Sequence, residues 1–205
     1  MATYGAVVNR IVDELPRGDA SITAVVAQQL LDAVSFYTTD RFWFNEKHTT
    51  LTTSSSLAYY SWPSDLLEID SVVVSDTGGT EYELEPMDFK SMNALDGGTT
   101  FGRPIWYSTY NKQFRLYPVP DQTYTFVVSH QYSPATLSAT SDTSVWTVEA
   151  ESLIRARTKY LLSAGRFKDA EGASFYKSLE QEEYTRLKDQ TEKLLNTGKL
   201  VGSGF

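Results

Sequence analysis

Apolar residues change their spacing twice along this chain, and that change limits the fold more than any single motif does. Tyr4, Val7, Val8, Ile11, Val12 and Leu15 recur at intervals of three and four, which places them on one face of a helix. Pro16 and Gly18 stop it. A second helix is predicted after Asp19 or Ser21, either of which would cap free amides, with Ile22, Val26, Leu30, Ala33, Val34 and Tyr37 on one face as far as about Arg41. The link between them is short, so the two helices are expected to be antiparallel neighbours.

From about Trp43 to Pro134 β-branched and aromatic residues take over, with turn clusters at Ser54 to Ser56, Asp76 to Gly79 and Asp96 to Gly98. Strands are predicted at Thr49 to Thr53, Leu57 to Ser61, Glu68 to Val74, Glu81 to Leu84, Ile105 to Tyr110, Gln113 to Tyr117 and Tyr124 to Tyr132, with a short helix over Glu85 to Leu95. Asn111-Lys112 separates two aromatic runs and reads as a tight hairpin, after which Pro118-Val119-Pro120-Asp121 turns the chain into a third antiparallel strand. A small sheet or sandwich is the expected product.

The last zone is helical again. Thr147 is expected to cap a helix that has Glu149 and Glu151 at its positive end and carries Leu153, Ile154, Leu161 and Leu162, stopping at Gly165. A longer helix is predicted from Asp169 to Asn196, with Ala173, Tyr176, Leu179, Tyr184, Leu187 and Leu194 toward the core and Gly198 as its terminator. The resulting fold class is α+β: a helical bundle from the N- and C-terminal helices, an inserted antiparallel β domain, and an extended C-terminal tail. The corresponding divisions are 1–42, 43–146, 147–197 and 198–205.

Composition narrows the function. The 205 residues are 41% hydrophobic, enough for one good-sized core or two smaller ones. No stretch approaches the roughly 20 apolar residues of a bilayer span, and Arg10, Asp13 and Glu14 interrupt the first fifteen residues, so a soluble cytoplasmic protein without a membrane partner is expected. Cysteine is absent, which removes disulfides and thiolate chemistry. A formal charge of −8 repels phosphate and disfavours nucleic-acid binding as a main task. Thirteen tyrosines, ten phenylalanines and four tryptophans supply either core or interface.

The carriers of catalysis are sparse. His48 and His130 are the only histidines and neither has a metal-ligand partner at helical spacing. Gly78-Gly79 and Gly97-Gly98 fit turns, since no phosphate-loop lysine follows either pair. The carboxylate pairs Glu180 with Glu183 and Glu182 with Asp189 read as a solvated helix face. No enzyme activity, cofactor or metal is expected. A hydrolase would have to use His48 or His130. Trp106, Tyr107, Tyr110 and Tyr132 would form a sugar-stacking platform in a competing reading, a β-rich carbohydrate-binding module or other surface structural component. Lys199, Leu200, Val201 and Phe205, spaced by glycines, read either as a loose end or as an arm that docks on a partner.

The run Phe114-Arg115-Leu116-Tyr117-Pro118-Val119-Pro120-Asp121, followed by Tyr124, Val128, Tyr132, Pro134, Leu137, Trp146 and Leu153-Ile154, resembles the head-to-tail adaptor (connector) proteins of tailed bacteriophages. Trp62-Pro63-Ser64-Asp65, with a strand beginning near Ile69, and Gly102-Arg103-Pro104 carry the same resemblance, which covers Phe42 to Phe167. It implies a virion structural protein at the capsid vertex, assembled in the host bacterial cytoplasm as a homo-oligomeric ring of about twelve copies below the portal protein. The ring would extend the channel through which genomic DNA passes without specific binding, and would offer its lower face to a tail or nozzle protein. The C-terminal segment would reach the portal, which maps onto Lys199, Leu200, Val201 and Phe205.

Overall fold

A computed structural model of the chain describes residues 1–15, 21–76, 78–96 and 99–195. The chain is an α+β mixture of helices at both ends and strands between them. It divides into two compact units, Met1–Asn45 with Pro134–Phe205, and Glu46–Ser133.

Helix α1 (Tyr4–Asp13) begins where Thr3 accepts the Ala6 amide on its side chain, and it buries Tyr4, Val7, Val8 and Ile11. Its first turn is tied to a segment well over a hundred residues away: the Tyr4 and Gly5 amides donate to the carbonyls of Asp142 and Thr140 at 2.7 and 2.9 Å. Gly5 is required there because a Cβ would lie 2.9 Å from the Thr140 carbonyl oxygen. Gly5→Ala is therefore expected to push the Thr140 turn off the helix and to destabilise the helical unit by about 1–3 kcal/mol, read as a lower urea midpoint at unchanged slope. Helix α2 (Ile22–Tyr37) buries Ile22, Val26, Leu30, Ala33 and Tyr37. Ser21 sits at its N-cap position in helical conformation and makes no side-chain capping bond, contrary to expectation, while Asp19 lies outside the described residues.

In the β unit, β1 (Glu46–Thr52), β3 (Leu66–Ser75), β4 (Glu81–Glu83) and β10 (Thr125–Tyr132) form one sheet in the order β1-β10-β3-β4. A second sheet has the order β2-β8-β7-β5, from β2 (Tyr59–Ser61), β5 (Glu85–Pro86), β7 (Trp106–Tyr110) and β8 (Gln113–Tyr117). Phe126 faces Val74 and Val128 faces Val72 across the first sheet. These four side chains share one buried cluster with Tyr60, Phe114 and Leu116 of the second, so the sheets form a sandwich.

The hairpin turn at Asn111 and Lys112 has both residues at positive φ, 51° and 56°, the conformation that a two-residue connection matched to strand twist requires. The predicted helix over Glu85 to Leu95 is shorter, α3 (Phe89–Asp96). Glu85 and Pro86 instead pair in parallel with Trp106 and Tyr107, as the restriction on a residue preceding proline favours. Asp88 then accepts the Ser91 amide at 2.9 Å and starts the helix. A second parallel pair, β6 (Phe101–Gly102) with β9 (Val119–Pro120), means the β unit is not purely antiparallel.

A short helix α4 (Val145–Val148) opens with Ser144 and Thr147 capping each other's amides. Thr147 was expected to cap the next helix; it completes this one instead, and α5 (Glu151–Leu161) starts from Ala150 without a side-chain cap. Gly165 does not end α5. The helix widens into a π turn over Leu162–Phe167 and ends at Lys168, in the left-handed region at φ 52°. Helix α6 (Ala170–Leu195) begins where the Asp169 carboxylate accepts the Gly172 amide at 3.0 Å. Gly198 and the predicted tail lie outside the described residues. Val8, Ile11, Val26, Leu30, Phe42, Trp146, Leu153, Ile154 and Leu187 form a single core cluster built from both ends of the chain.

Candidate functional site

Helix α6 has an unusual inner stripe. The residues it buries are Glu180, Leu187 and Thr191, and of the predicted core positions Leu194 is 47% exposed while Ala173, Tyr176, Leu179 and Tyr184 are half-buried. Phe175 and Leu195 also stand in solvent. A helix this polar on its inner face is held by specific side-chain contacts more than by an apolar stripe.

Those contacts centre on Glu180, whose side chain is 3% exposed, so the expected solvated face is absent at this position. Arg157 of α5 approaches one carboxylate oxygen at 3.0 Å and Lys177 the other at 3.1 Å, and the Tyr37 hydroxyl of α2 donates at 2.5 Å. Burial, then the hydrogen bond and charge of Glu180, push the Tyr37 hydroxyl far above its ordinary value. The Arg157 guanidinium also lies 3.8 Å from the ring centre of Phe36, which is itself 55% exposed. Beside this network runs a groove of about 850 Å³ bordered by Phe36, Asp40, Gln181, Tyr184 and Thr185. A second hollow, about 580 Å³, lies at the π turn between Leu15, Phe167, Phe175 and Tyr176. Both combine aromatic surface with polar groups, the composition of protein interfaces.

A separate charged seam joins α1 to α5. Glu14 pairs with Arg155 and Lys159, and Glu151 with Arg10 and Arg155. Burial acts to raise the Glu14 carboxyl, but the hydrogen bonds and charges of Lys159 and Arg155 outweigh it, so the group titrates below its ordinary 4.5. A depressed folded value means that the seam stabilises the fold above the unfolded carboxylate range and that this contribution is lost as pH falls through the folded value. Urea midpoints should therefore drop between about pH 5 and pH 3, with a smaller drop in Glu14→Gln than in the parent chain.

The histidines are not brought together by any shared contact. His48 is exposed with Nδ1 2.9 Å from the Ser129 hydroxyl. His130 is buried in β10 with Nδ1 donating to the Val128 carbonyl at 3.1 Å. Among the described residues no group of three or more His, Cys, Asp or Glu is placed to hold a metal ion, and no helix is long and apolar enough to cross a membrane.

Nor do the four aromatics of the sugar-platform reading share a surface. Tyr107 packs on the sandwich core, Trp106 stacks on Tyr117, Tyr110 stacks on Phe89 of α3 at 4.5 Å, and Tyr132 belongs to the other sheet, under Lys47. Lys199, Leu200, Val201 and Phe205 lie outside the described residues.

A family model described as SU10 adaptor protein matches residues 2–199, spanning both units. The chain belongs to the SU10 adaptor protein family. These are bacteriophage head-tail adaptors, and this adaptor is a structural protein of a phage virion. No match was found among curated proteins. The residues that carried the resemblance in the sequence turn out to be framework positions of the adaptor. Trp146 lies in the helical core. Tyr117-Pro118-Val119-Pro120 leads from β8 into the parallel pair with β6. Asp65, which ends the Trp62-Pro63 step, pairs with Lys47 and accepts the Ser133 amide at 2.7 Å. The exposed aromatics Phe36 and Phe175 and the buried Glu180 were missed: Arg157 over Phe36, and Tyr37 and Arg157 at Glu180, come from distant parts of the sequence, and only the three-residue spacing of Lys177 and Glu180 was visible.

Proposed function

We propose that the adaptor forms a ring of about twelve copies beneath the portal, extends the DNA channel, and provides the platform on which a tail or nozzle protein attaches. The observation that carries this reading is the family match through residues 2–199. The role is mechanical, not catalytic, and it places the protein at the head-tail interface of the virion after synthesis in the host bacterial cytoplasm. Lys199, Leu200, Val201 and Phe205 contact the portal, as the last of four working divisions, 1–42, 43–146, 147–197 and 198–205. The net charge of −8 suits a channel wall, because accumulated Lys and Arg contacts would hold the phosphates of passing DNA. Exposed Phe36, Phe175, Leu194 and Leu195 supply apolar contact area of the kind that subunit interfaces bury.

The test is to mix the purified full chain, and a version truncated after Asn196, with the cognate portal and image the products by electron microscopy. A ring on the portal with the full chain and none with the truncated one is expected. Failure of the full chain to associate with the portal would overturn the adaptor ring, and a ring formed equally well by both versions would remove the C-terminal contact.

A further inference from the structure

We propose that α6 is a releasable arm, latched onto α2 and α5 by the Glu180 carboxylate and able to swing away about the π turn while the rest of the helical unit stays folded. The proposal does not depend on the ring.

Three observations carry it. The first is the composition of the buried stripe. Along its length α6 contributes Leu187 as its fully buried apolar residue, against Leu153, Ile154 and Ala156 in the much shorter α5. Lifting α6 exposes correspondingly little apolar surface, the quantity that resists opening. The second is the latch. Glu180 is held from other helices by two donors, Tyr37 of α2 and Arg157 of α5, with Lys177 of α6 itself on its other oxygen, while Lys188 donates to the Arg41 carbonyl at 3.0 Å. Water can replace these directional bonds when the arm lifts, so their net contribution is modest compared with their number.

The third is the joint. Between α5 and α6 the backbone passes through a π turn and a left-handed Lys168, and Gly165 within it has no neighbouring atom where a Cβ would stand. The open space at Gly165, next to a hollow bordered by Leu15, Phe167 and Tyr176, leaves room for rotation without breaking α5. Release uncovers Tyr37, Phe42 and the inner face of Tyr184, which otherwise pack together.

Amide hydrogen exchange of the full chain, followed by mass spectrometry, tests the idea. In the parent chain the amides of α6 should exchange at least about 10-fold faster than those of α5, as a subglobal opening requires. Glu180→Gln, which leaves Arg157 and Lys177 without their counter-charge, should speed α6 by a further ~10-fold and leave α5 and β10 within ~2-fold of the parent. Tyr37→Phe, a milder removal of one latch bond, should move the same segment by less. Equal exchange of α5 and α6 in the parent chain overturns the proposal even if a variant does not fold. So does a rise of α5 and α6 together in either variant.

Discussion

Trp146→Ala should lower the stability of the helical unit by about 3–5 kcal/mol, the largest loss expected from a single change in that unit. The indole is 1% exposed and meets Phe42 and Phe44 edge-on, with ring centres 5.9 and 5.2 Å away. It belongs to the cluster that holds Val8 and Ile11 with Leu153 and Ile154, so the cavity left behind would open where both ends of the chain meet. Phenylalanine at this position should recover most of the loss. The Trp146 indole N–H is buried without a hydrogen-bond partner among the described residues, so replacing it with a ring that has no donor removes a desolvated group as well as some volume. Denaturation followed by circular dichroism at the helix band provides the measurement. A Trp146→Ala midpoint close to that of the parent would contradict the packing described here.

Phe114→Ala should have an effect of similar size on the sandwich, about 3–5 kcal/mol. Phe114 is fully buried on β8 and touches Trp62, Tyr107 and Phe126, at ring-centre distances of 6.0, 6.3 and 6.0 Å, so one truncation removes contacts on both sheets at once. Leucine should be less damaging, since it restores apolar volume without the edge-on ring geometry. Trp62 lies beside the site and its fluorescence reports the change directly.

The architecture was legible where one physical signal dominated. The three-and-four spacing of Tyr4 to Leu15 and of Ile22 to Tyr37 survives as the buried faces of α1 and α2, because an amphipathic helix on a core has few other ways to hide those residues. The Asn111-Lys112 hairpin was readable for a similar reason: two aromatic runs separated by two residues leave little choice of turn. Reading failed where an answer depended on partners far away in sequence. The stop expected at Gly165 assumed that a glycine ends a helix, yet the backbone passes it in a π turn and uses Lys168 as the left-handed residue. Glu180 looked like one more charge on a charged helix, and only the fold brings Tyr37 and Arg157 to it from 143 and 23 residues away. Two-residue pairings such as Phe101–Gly102 with Val119–Pro120 are too short for any periodicity to show.

The joining of both chain ends in one helical core has a consequence for how the protein is born. Tyr37 and Ile154 share that core and are 117 positions apart, counting from 37 to 154. At about 5–20 residues per second, the first two helices leave the ribosome roughly 6–23 s before the strip of α5 that covers them. The strands between them, Glu46 to Ser133, form a compact unit with a buried cluster of its own. Synthesis therefore passes through a stage in which a finished β unit is preceded by two helices whose apolar faces are still open. It is the newborn chain, more than the completed one, that needs protection from its neighbours on the same messenger.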